Sequence, residues 1–449
     1  MNAQMPSKLL RLIASAIGAF GALHCATAEL RVGVARIDIT PDYPVRLSGF
    51  GFRRAESEGM TQRIWAKAIA FADEQQGPAI LITTDNLGVP DEITQQIAER
   101  LAKTIGLKRE RLTITASHTH TAPMLRGVAP TLFGMAIPEE HQANIDRYTR
   151  EFIDALEKVS LAAVKDIRPA KVEWGSGRVG FAKNRRTPGG PVDHDLPLLV
   201  VRGEDGKVRA VWFSYACHCV TLSDNKLSGD WAGFAQSEIE RDFPDAVALM
   251  STGCGADANP ESGVTGDKAT VATAQGRQLA DEVKRMLGTK LIPIAAAPMT
   301  KFHRIDLPFD TPRTRAEWEE RAAKGGAVGH HARVNLARLD RGETLQTKIS
   351  YPIQSWLFGE QLAAVFLPGE VVVDYSLRLK REFDRTRLAI VAYANDAPCY
   401  IPSERVLKEG GYEGADAMIY YDRPNKFAPG LEQKIIDVVH EQLPASFRP

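Results

Sequence analysis

The sequence predicts a mixed α/β fold built in layers, and two observations support this prediction. Short apolar runs alternate with helical patterns along most of the 449 residues, which is typical of α/β proteins. Three of these runs, at 113–120, 210–218 and 363–370, end in a side chain that can bind a metal, namely His120, His218 and Glu370. Because open α/β sheets place ligands at the C-terminal ends of their strands, we expect a metal site there.

The elements follow in order from their periodicity. Residues 31–40 and 79–85 are predicted strands, and 94–107 is a predicted helix with Ile97, Leu101 and Ile105 at helical spacing. Further strands are predicted at 112–120, 196–202, 208–216, 246–251 and 388–395, and further helices at 148–167, 232–243, 269–287, 371–383 and 431–443. Turn residues predict hairpins across 203–206 and around Gly359.

Residues 313–345 differ from the rest because they are charged and helical throughout. They contain Gly325-Gly326 and His330-His331. One interpretation is an insertion or lid, and the other is a solvated helical hairpin. We predict a single domain over residues 29–449, with 313–345 as the insertion.

The N-terminus predicts export. Lys8 and Arg11 accompany an apolar stretch at 9–23, and small residues at 26–28 favour cleavage after Ala28. This stretch is interrupted and shorter than the roughly 20 apolar residues that a membrane span needs. We therefore predict a signal peptide at 1–28, a secreted or periplasmic protein and no stable membrane anchor.

Charge and cysteine content narrow the class further. The chain has 56 basic and 56 acidic residues, so no nucleic-acid partner is expected. Cleavage of the signal peptide would leave four cysteines, each near a candidate site residue: Cys217, Cys219, Cys254 and Cys399. In an oxidising compartment disulfides are the default, and thiols lining the site are the alternative.

The candidate metal ligands are ambiguous one by one. His118 and His120 are two residues apart, so in a strand both imidazoles would lie on one face and could either chelate or divide the tasks of ligand and proton transfer. His218 follows a predicted buried strand and could be a core histidine. Glu370 could cap the helix that follows it. Only their combination predicts a metal site, for which zinc is suited to imidazole and carboxylate ligands.

Short motifs follow one another in an order that resembles a known family. They are V-G-V-A-R-I-D-I-T-P at 32–41, S-G-F-G at 48–51, T-D-N-L-G at 84–88, S-H-T-H-T-A-P at 117–123, N-R at 184–185, S-G-D at 228–230, L-P-G-E at 367–370 and N-D-A-P-C-Y at 395–400. This series resembles the neutral/alkaline non-lysosomal ceramidase superfamily of zinc-dependent N-acyl hydrolases. The resemblance covers essentially the whole mature chain.

The resemblance implies one zinc ion per chain, with four ligands: His118, His218, Glu370 and Tyr400. It implies that His120 is a polar group beside the water or substrate, and that Asp85 and Asp230 orient the histidines. Arg185 would hold a polar or anionic part of the substrate or the developing oxyanion, the alternative being a surface arginine. The zinc would acidify a water and polarise the scissile carbonyl.

Two departures separate this chain from the family pattern. The family carries a Gly-Asp-x-Ser-Pro element whose serine is essential for amide cleavage, whereas here Asp257 and Pro260 match but Asn259 takes the serine position. An amide can donate a hydrogen bond but cannot act as a hydroxyl nucleophile, and Asp257 is either a base or a structural acceptor. The second departure is length, because no C-terminal β-sandwich domain is expected before Pro449.

These observations leave three hypotheses. The leading one is a secreted zinc hydrolase of an N-acyl bond, whose small-molecule substrate is a ceramide-like lipid, an N-acylated amino acid or an amino sugar. The second keeps the zinc but acts on an ester, a lactone or a carbohydrate, and Asn259 motivates it. The third is a non-catalytic binding protein that zinc stabilises. The oligomeric state stays open.

Overall fold

Strands and helices alternate through residues 30–449, the part of the chain that this computed structural model describes. The strands are β1 (Leu30–Asp38), β2 (Trp65–Phe71), β3 (Ala79–Thr84), β4 (Leu112–Ala116), β5 (Arg168–Arg178), β6 (Ala182–Asn184), β7 (Asp195–Arg202), β8 (Val208–Tyr215), β9 (Val247–Thr252), β10 (Ala258–Pro260), β11 (Ile292–Ile294), β12 (Met299–Pro308), β13 (Lys348–Phe358), β14 (Leu362–Phe366), β15 (Glu370–Val371), β16 (Leu388–Val391) and β17 (Tyr400–Ile401). The helices are α1 (Asp91–Ile105), α2 (Glu139–Lys165), α3 (Asp230–Asp242), α4 (Ala269–Leu287), α5 (Arg315–Ala322), α6 (Gly326–Asp340), α7 (Val373–Glu382), α8 (Glu404–Glu409), α9 (Gly411–Gly414) and α10 (Leu431–Gln442). The mixed α/β prediction is confirmed, whereas the predicted signal peptide at 1–28 lies outside the described residues.

The largest sheet has nine strands and brings two loop regions together. Its order is β4-β3-β2-β1-β5-β7-β8-β9, with β11 paired to β5. The two outermost strands contact each other, because the hydroxyls of Thr115 in β4 and Ser251 in β9 lie 2.7 Å apart. Beyond the strand ends, Thr119 and Cys219 form a parallel bridge. The segments that follow β4 and β8 are therefore neighbours in space.

A second sheet, of order β12-β13-β14-β16, packs against the first through aromatic side chains. Trp212 lies 6.2 Å from Phe366, and Phe71 lies 6.2 Å from Trp356, measured between ring centroids. Burial of each such ring contributes about 1.5–3 kcal/mol to folding. The hairpin predicted around Gly359 is confirmed as β13–β14, and the one across 203–206 as β7–β8.

Some strands lack the pattern that would reveal them. β2 carries a lysine in its middle, and this side chain is buried. Lys67 Nζ donates to Glu240 Oε1 at 2.7 Å and to the carbonyl of Ala248 at 2.8 Å, so the interior accepts its charge. Because Glu240 and Ala248 lie far from Lys67 in sequence, the local pattern of apolar residues does not identify this strand.

Residues 313–345 contain a helical hairpin formed by α5 and α6. Its inner face buries Trp318 and His331, whose rings lie 5.6 Å apart. Arg338 holds the hairpin to the later segment around Asp422, because its guanidinium donates hydrogen bonds to that carboxylate. Both interpretations anticipated the helices, and the role of a lid stays a prediction.

All four cysteines between residues 30 and 449 are free and buried. The default expectation of disulfides is therefore wrong for this structure. Cys217 and Cys219 belong to one hydrophobic core, whereas Cys254 and Cys399 belong to another. Each thiol packs as a small apolar group, and burial raises the pKa of all four.

None of the helices between residues 30 and 449 combines the length and the hydropathy that a membrane crossing requires.

Candidate metal centre

Three imidazoles and one carboxylate converge in a buried cluster behind β4, β8 and β14. Glu370 Oε2 lies 3.2 Å from His118 Nε2 and 3.0 Å from His218 Nε2. His120 Nε2 lies 3.1 Å from His118 Nε2. The three histidines offer nitrogens within 4.8 Å of one another, close enough to hold a metal ion. The structure thus brings together His118, His218 and Glu370, which lie far apart in the sequence.

The two histidines of the H-x-H motif do not lie in a strand, contrary to prediction. β4 ends at Ala116, and His118 adopts a left-handed backbone conformation with φ of 57°. Such a conformation is uncommon for a side chain other than glycine or asparagine and is often found at functional sites. The two rings meet edge to face at 4.8 Å, so the turn, rather than strand alternation, brings them together.

Backbone carbonyls orient the histidines. His118 Nδ1 lies 2.7 Å from the carbonyl oxygen of Leu87, and His218 Nδ1 lies 3.0 Å from that of Gly255. A carbonyl can only accept, so each Nδ1 carries a hydrogen, and in the neutral ring the lone pair then lies on Nε2. Both lone pairs face Glu370.

The expectation that Asp85 and Asp230 orient the histidines is wrong. Asp85 accepts from the backbone of Trp65 and from Gln236, at 3.0 and 2.8 Å. Asp230 accepts from the backbone N–H groups of Leu222 at 2.8 Å and of Trp231 at 2.5 Å. Both carboxylates therefore hold the scaffold behind the site rather than its imidazoles.

Glu370 and Tyr400 lie side by side because of strand register. β15 pairs in parallel with β17, and in this ladder Glu370 stands directly opposite Tyr400. Tyr400 Oη lies 3.4 Å from His218 Nε2. Glu370 does not cap the following helix, because α7 begins only at Val373. Its other oxygen, Oε1, accepts a hydrogen bond from the hydroxyl of Tyr421.

The donor set suits a metal cation. Two imidazole lone pairs and one carboxylate oxygen point at one another, and Glu370 Oε2 has no hydrogen-bond donor within residues 30–449. Burial lowers the pKa of His218 to about 4, so this ring stays neutral at neutral pH. Nitrogen and oxygen ligands of this kind are those that zinc prefers.

Arg185 is part of this site rather than a surface arginine. Its Nη2 donates to Tyr400 Oη at 3.0 Å, and its Nε donates to Glu413 Oε1 at 2.7 Å. Its Nη1 lies 3.4 Å from Asn259 Oδ1. Burial opposes its charge, but Tyr400 and Glu413 outweigh burial and raise the pKa of Arg185. A permanent cation therefore stands beside the Tyr400 phenol.

Asp257 makes contacts of a structural kind. Oδ1 accepts from the backbone of Val373 at 2.8 Å, at the start of α7, and Oδ2 accepts from Asn184 Nδ2 at 3.2 Å. Burial raises the pKa of Asp257 to about 6. The carboxylate therefore ties the loop before β10 to the end of β6, which precedes Arg185, and to the start of α7, which follows Glu370.

Several residues of the site carry no signal in the sequence. Tyr393 stacks on His118 with ring centroids 4.2 Å apart, and Tyr421 binds Glu370. Arg53 Nη1 donates to the carbonyls of Ser48 and His120 at 2.5 Å each. The S-G-F-G motif pointed to this turn, but nothing in it pointed to the arginine.

Gly49 makes room for His120, which gives a testable consequence. Its φ is +89°, and an added Cβ would lie 2.4 Å from His120 Cγ. We expect Gly49→Ala to displace this ring and lower kcat/KM about 10- to 100-fold, as changes around metal sites do. Steady-state kinetics and thermal unfolding measure the two effects.

Gly59→Ala is the matched control for this variant. Gly59 has φ of +115°, and nothing lies within 4 Å of its added Cβ. Both variants should lose stability from the strained backbone, but only Gly49→Ala should lose activity. Equal activity in the two variants would contradict the role assigned to this turn.

Sequence comparisons find relatives of this chain. The sequence profile described as neutral/alkaline non-lysosomal ceramidase, N-terminal, matches residues 30–268. Neutral ceramidase A of Dictyostelium discoideum is 21% identical over 247 residues, which are 50% of this chain and 34% of that protein. Neutral ceramidase B of the same organism is 23% identical over 229 residues, 46% of this chain and 31% of that protein. The aligned part thus spans about a third of these relatives.

Two solved structures share the fold. One, described as ceramidase complexed with C2, has a TM-score of 0.73 and 16% identity, and the match covers 93% of this chain and 76% of that chain. The other, neutral ceramidase from Pseudomonas aeruginosa, has a TM-score of 0.72 and 16% identity, with 94% and 76% covered.

Proposed function

Because this chain belongs to the neutral/alkaline non-lysosomal ceramidase family, we propose that it is a zinc-dependent hydrolase of N-acyl amide bonds. The observation that carries the proposal is the convergence of His118 Nε2, His218 Nε2 and Glu370 Oε2 in one buried cluster. Tyr400, opposite Glu370 in the β15–β17 ladder, is the fourth ligand in this proposal. A bound zinc ion supplies Lewis acidity, which polarises a carbonyl and acidifies a water.

Arg185 supplies a positive charge beside the position that we assign to the acyl carbonyl of the substrate. Arg185 donates to Tyr400 Oη, and its positive charge favours the ionised phenol. The same guanidinium lies at the edge of the cluster, where negative charge develops on the carbonyl oxygen during amide hydrolysis. Glu413 fixes the guanidinium from the other side, so the donor is held in place before the substrate arrives.

His120 is suited to handling a proton. Burial and the two neighbouring imidazoles hold the pKa of His120 well below its usual range, so the ring is neutral. Its Nε2 lies 3.1 Å from His118 Nε2, and it would be available to water or substrate if His118 held the metal. Arg53 fixes the backbone of this residue, and Phe50 packs on its ring at 4.9 Å. The ring therefore keeps one orientation.

The proposal is tested with one substrate panel. Purified protein loaded with zinc is incubated with N-acyl sphingoid bases, N-acyl amino acids, N-acyl amino sugars, esters and lactones, and products are identified by mass spectrometry. We expect release of a free acid and an amine from an N-acyl member. Cleavage of esters or lactones alone would overturn the assignment of an amide bond.

A second candidate function, hydrolysis of an ester or lactone, is favoured by Asn259. This residue takes the position where the resemblance implies an essential serine, and its side chain lies beside Arg185. An amide side chain cannot serve as a hydroxyl nucleophile or proton relay. The leaving oxygen of an ester or lactone departs from the acyl carbon more readily than an amine nitrogen, so these substrates depend less on such a relay.

Asn259→Ser separates the two candidates. The substitution removes one long hydrogen bond to Arg185, so under the amidase proposal we expect amide turnover to change by less than about tenfold. Asn259→Ala is the control, because it removes the same acceptor without adding a hydroxyl. A gain in amide cleavage well beyond tenfold in the serine variant alone would favour the second candidate.

A further inference from the structure

A cavity of about 640 Å³ opens between the α5–α6 hairpin and the segment 412–426. Five cationic side chains line it: Arg313, Arg321, Lys324, Arg423 and Lys426. Only two carboxylates line it, and one of them, Asp310, is 3.7 Å from Lys426. The other, Asp416, is exposed. The wall is therefore strongly basic although the chain as a whole is neutral.

Three of these cations lack a carboxylate partner in the described part of the chain. Arg313 donates only to Pro424 O and Asn425 Oδ1, and Arg423 donates to Pro398 O and Gln346 Oε1. Arg321 makes no side-chain hydrogen bond to residues 30–449, and its Nε is buried. Burial and the charge of Arg321 both lower the pKa of Arg313. Like charges gathered in this way favour an anion between them.

A buried polar side chain in the same wall also lacks a partner. His331 is 1% exposed and lines the cavity, yet neither of its ring nitrogens has a hydrogen-bond partner within residues 30–449. Its Nε2 lies 3.6 Å from Asp422 Oδ1, which is too long for a hydrogen bond. Unsatisfied buried groups of this kind are rare and are frequently completed by a ligand.

The cavity adjoins the metal centre through two tyrosines of its wall. The ring centroid of Tyr412 lies 5.4 Å from that of Tyr400 and 5.5 Å from Arg185 Cζ. Tyr420 lies 6.1 Å from Tyr412 and directly precedes Tyr421, which binds Glu370. Tyr412 therefore separates the metal centre from the cavity by the width of one ring, and a substrate that reaches both would pass this side chain.

We propose that this cavity receives an anionic group of the substrate, so that the enzyme acts on N-acyl compounds carrying a carboxylate, sulfate or phosphate several bonds away from the amide. The inference rests on the proposed function and narrows its substrate class. A neutral N-acyl lipid would leave three guanidiniums without an anionic partner and His331 without a hydrogen-bond partner, whereas an anionic group supplies both. Selection against uncharged substrates follows from this difference.

The test compares charged substrates with neutral counterparts of the same shape. The series consists of N-acyl ω-amino acids of increasing chain length, each paired with its carboxamide. We expect kcat/KM for the best carboxylate to exceed that for its carboxamide by roughly 10- to 100-fold, the effect of one or two hydrogen bonds to a charged group. In Arg321→Gln this preference should fall towards unity, because kcat/KM for the carboxylate drops.

Arg315→Gln is the matched control. Arg315 lies in the same helix but outside the cavity wall, where it pairs with Glu319 and Asp340. This variant should keep the full preference. A preference below twofold in the native protein, or one that both variants retain equally, would overturn the inference while leaving amide hydrolysis established.

A second readout does not depend on activity. Thermal unfolding is followed with inorganic phosphate against chloride at constant ionic strength, because a ligand that binds only the folded state raises the melting temperature. We expect phosphate to stabilise the native protein and Arg315→Gln more than Arg321→Gln. Equal stabilisation of all three would reflect a general salt effect and overturn the anion site. If no N-acyl substrate were cleaved, the proposed function would be overturned instead. The phosphate result would then show by itself whether the cavity binds an anion.

Discussion

His218→Ala is expected to abolish zinc binding and to lower kcat/KM by at least about 10³-fold, equivalent to about 4 kcal/mol of transition-state stabilisation. His218 Nε2 is one of the two imidazole nitrogens that face Glu370 Oε2. The Nδ1 of the same ring is held by the carbonyl of Gly255. Removing the ring leaves Glu370 with one imidazole partner, too few for a tight site. Metal content of the purified variant and its kinetics measure the two effects.

The comparison with His120→Ala makes this prediction specific. His120 is 3.1 Å from His118 Nε2 and belongs to the group of three imidazoles that could hold a metal, yet the proposed ligand set leaves it out. We expect this variant to retain zinc and lose about 10- to 100-fold in activity, because a neighbour and not a ligand is removed. Loss of zinc in His120→Ala with retention in His218→Ala would reverse the assignment.

Arg185→Gln is expected to lower kcat/KM by roughly 10²-fold or more, since it removes a preorganised hydrogen-bond donor beside the acyl carbonyl of the substrate. Burial raises the pKa of Tyr400, and Glu370 raises it further, while Arg185 lowers it. Without the arginine the phenol ionises less readily, so zinc affinity should also fall, by about 10- to 100-fold. Kinetics and zinc titration measure the two losses.

Arg186→Gln is the control for Arg185. Arg186 also donates to Glu413 and is next in the chain, but its other partners are Glu409 and the carbonyl of Gly410, so it does not reach Tyr400. Near-native turnover is expected in this variant, with a small loss of stability. If the two variants were equally impaired, the effect would belong to Glu413 and the surrounding loop rather than to the contact with Tyr400.

Much of the fold was predictable because its signals are local. Helix α4 was predicted with its observed bounds, and the β7–β8 hairpin followed from a four-residue turn. Strand β2 was missed because its buried lysine is neutralised by Glu240, which is distant in sequence. Element bounds also shifted where the chain leaves a strand early, as β4 does two residues before His118.

The candidate site was predictable only in part. The motifs identified the residues that converge, since His118 and His218 each follow a strand and Glu370 begins one. They did not give Tyr421 or Arg53, which reach the site from other segments, nor the carbonyls that orient the rings in place of Asp85 and Asp230. Backbone acceptors leave no trace in side-chain identity, so sequence reasoning cannot find them.

The central claim is that the buried cluster holds a catalytic zinc ion, and metal removal tests it most directly. The purified protein is stripped with a chelator, its metal content is measured, and N-acyl hydrolysis is followed before and after zinc is added back. We expect one zinc ion per chain, loss of both turnover and thermal stability on stripping, and recovery of both with zinc. Undiminished hydrolysis of the same substrate by protein shown to contain no metal would contradict it.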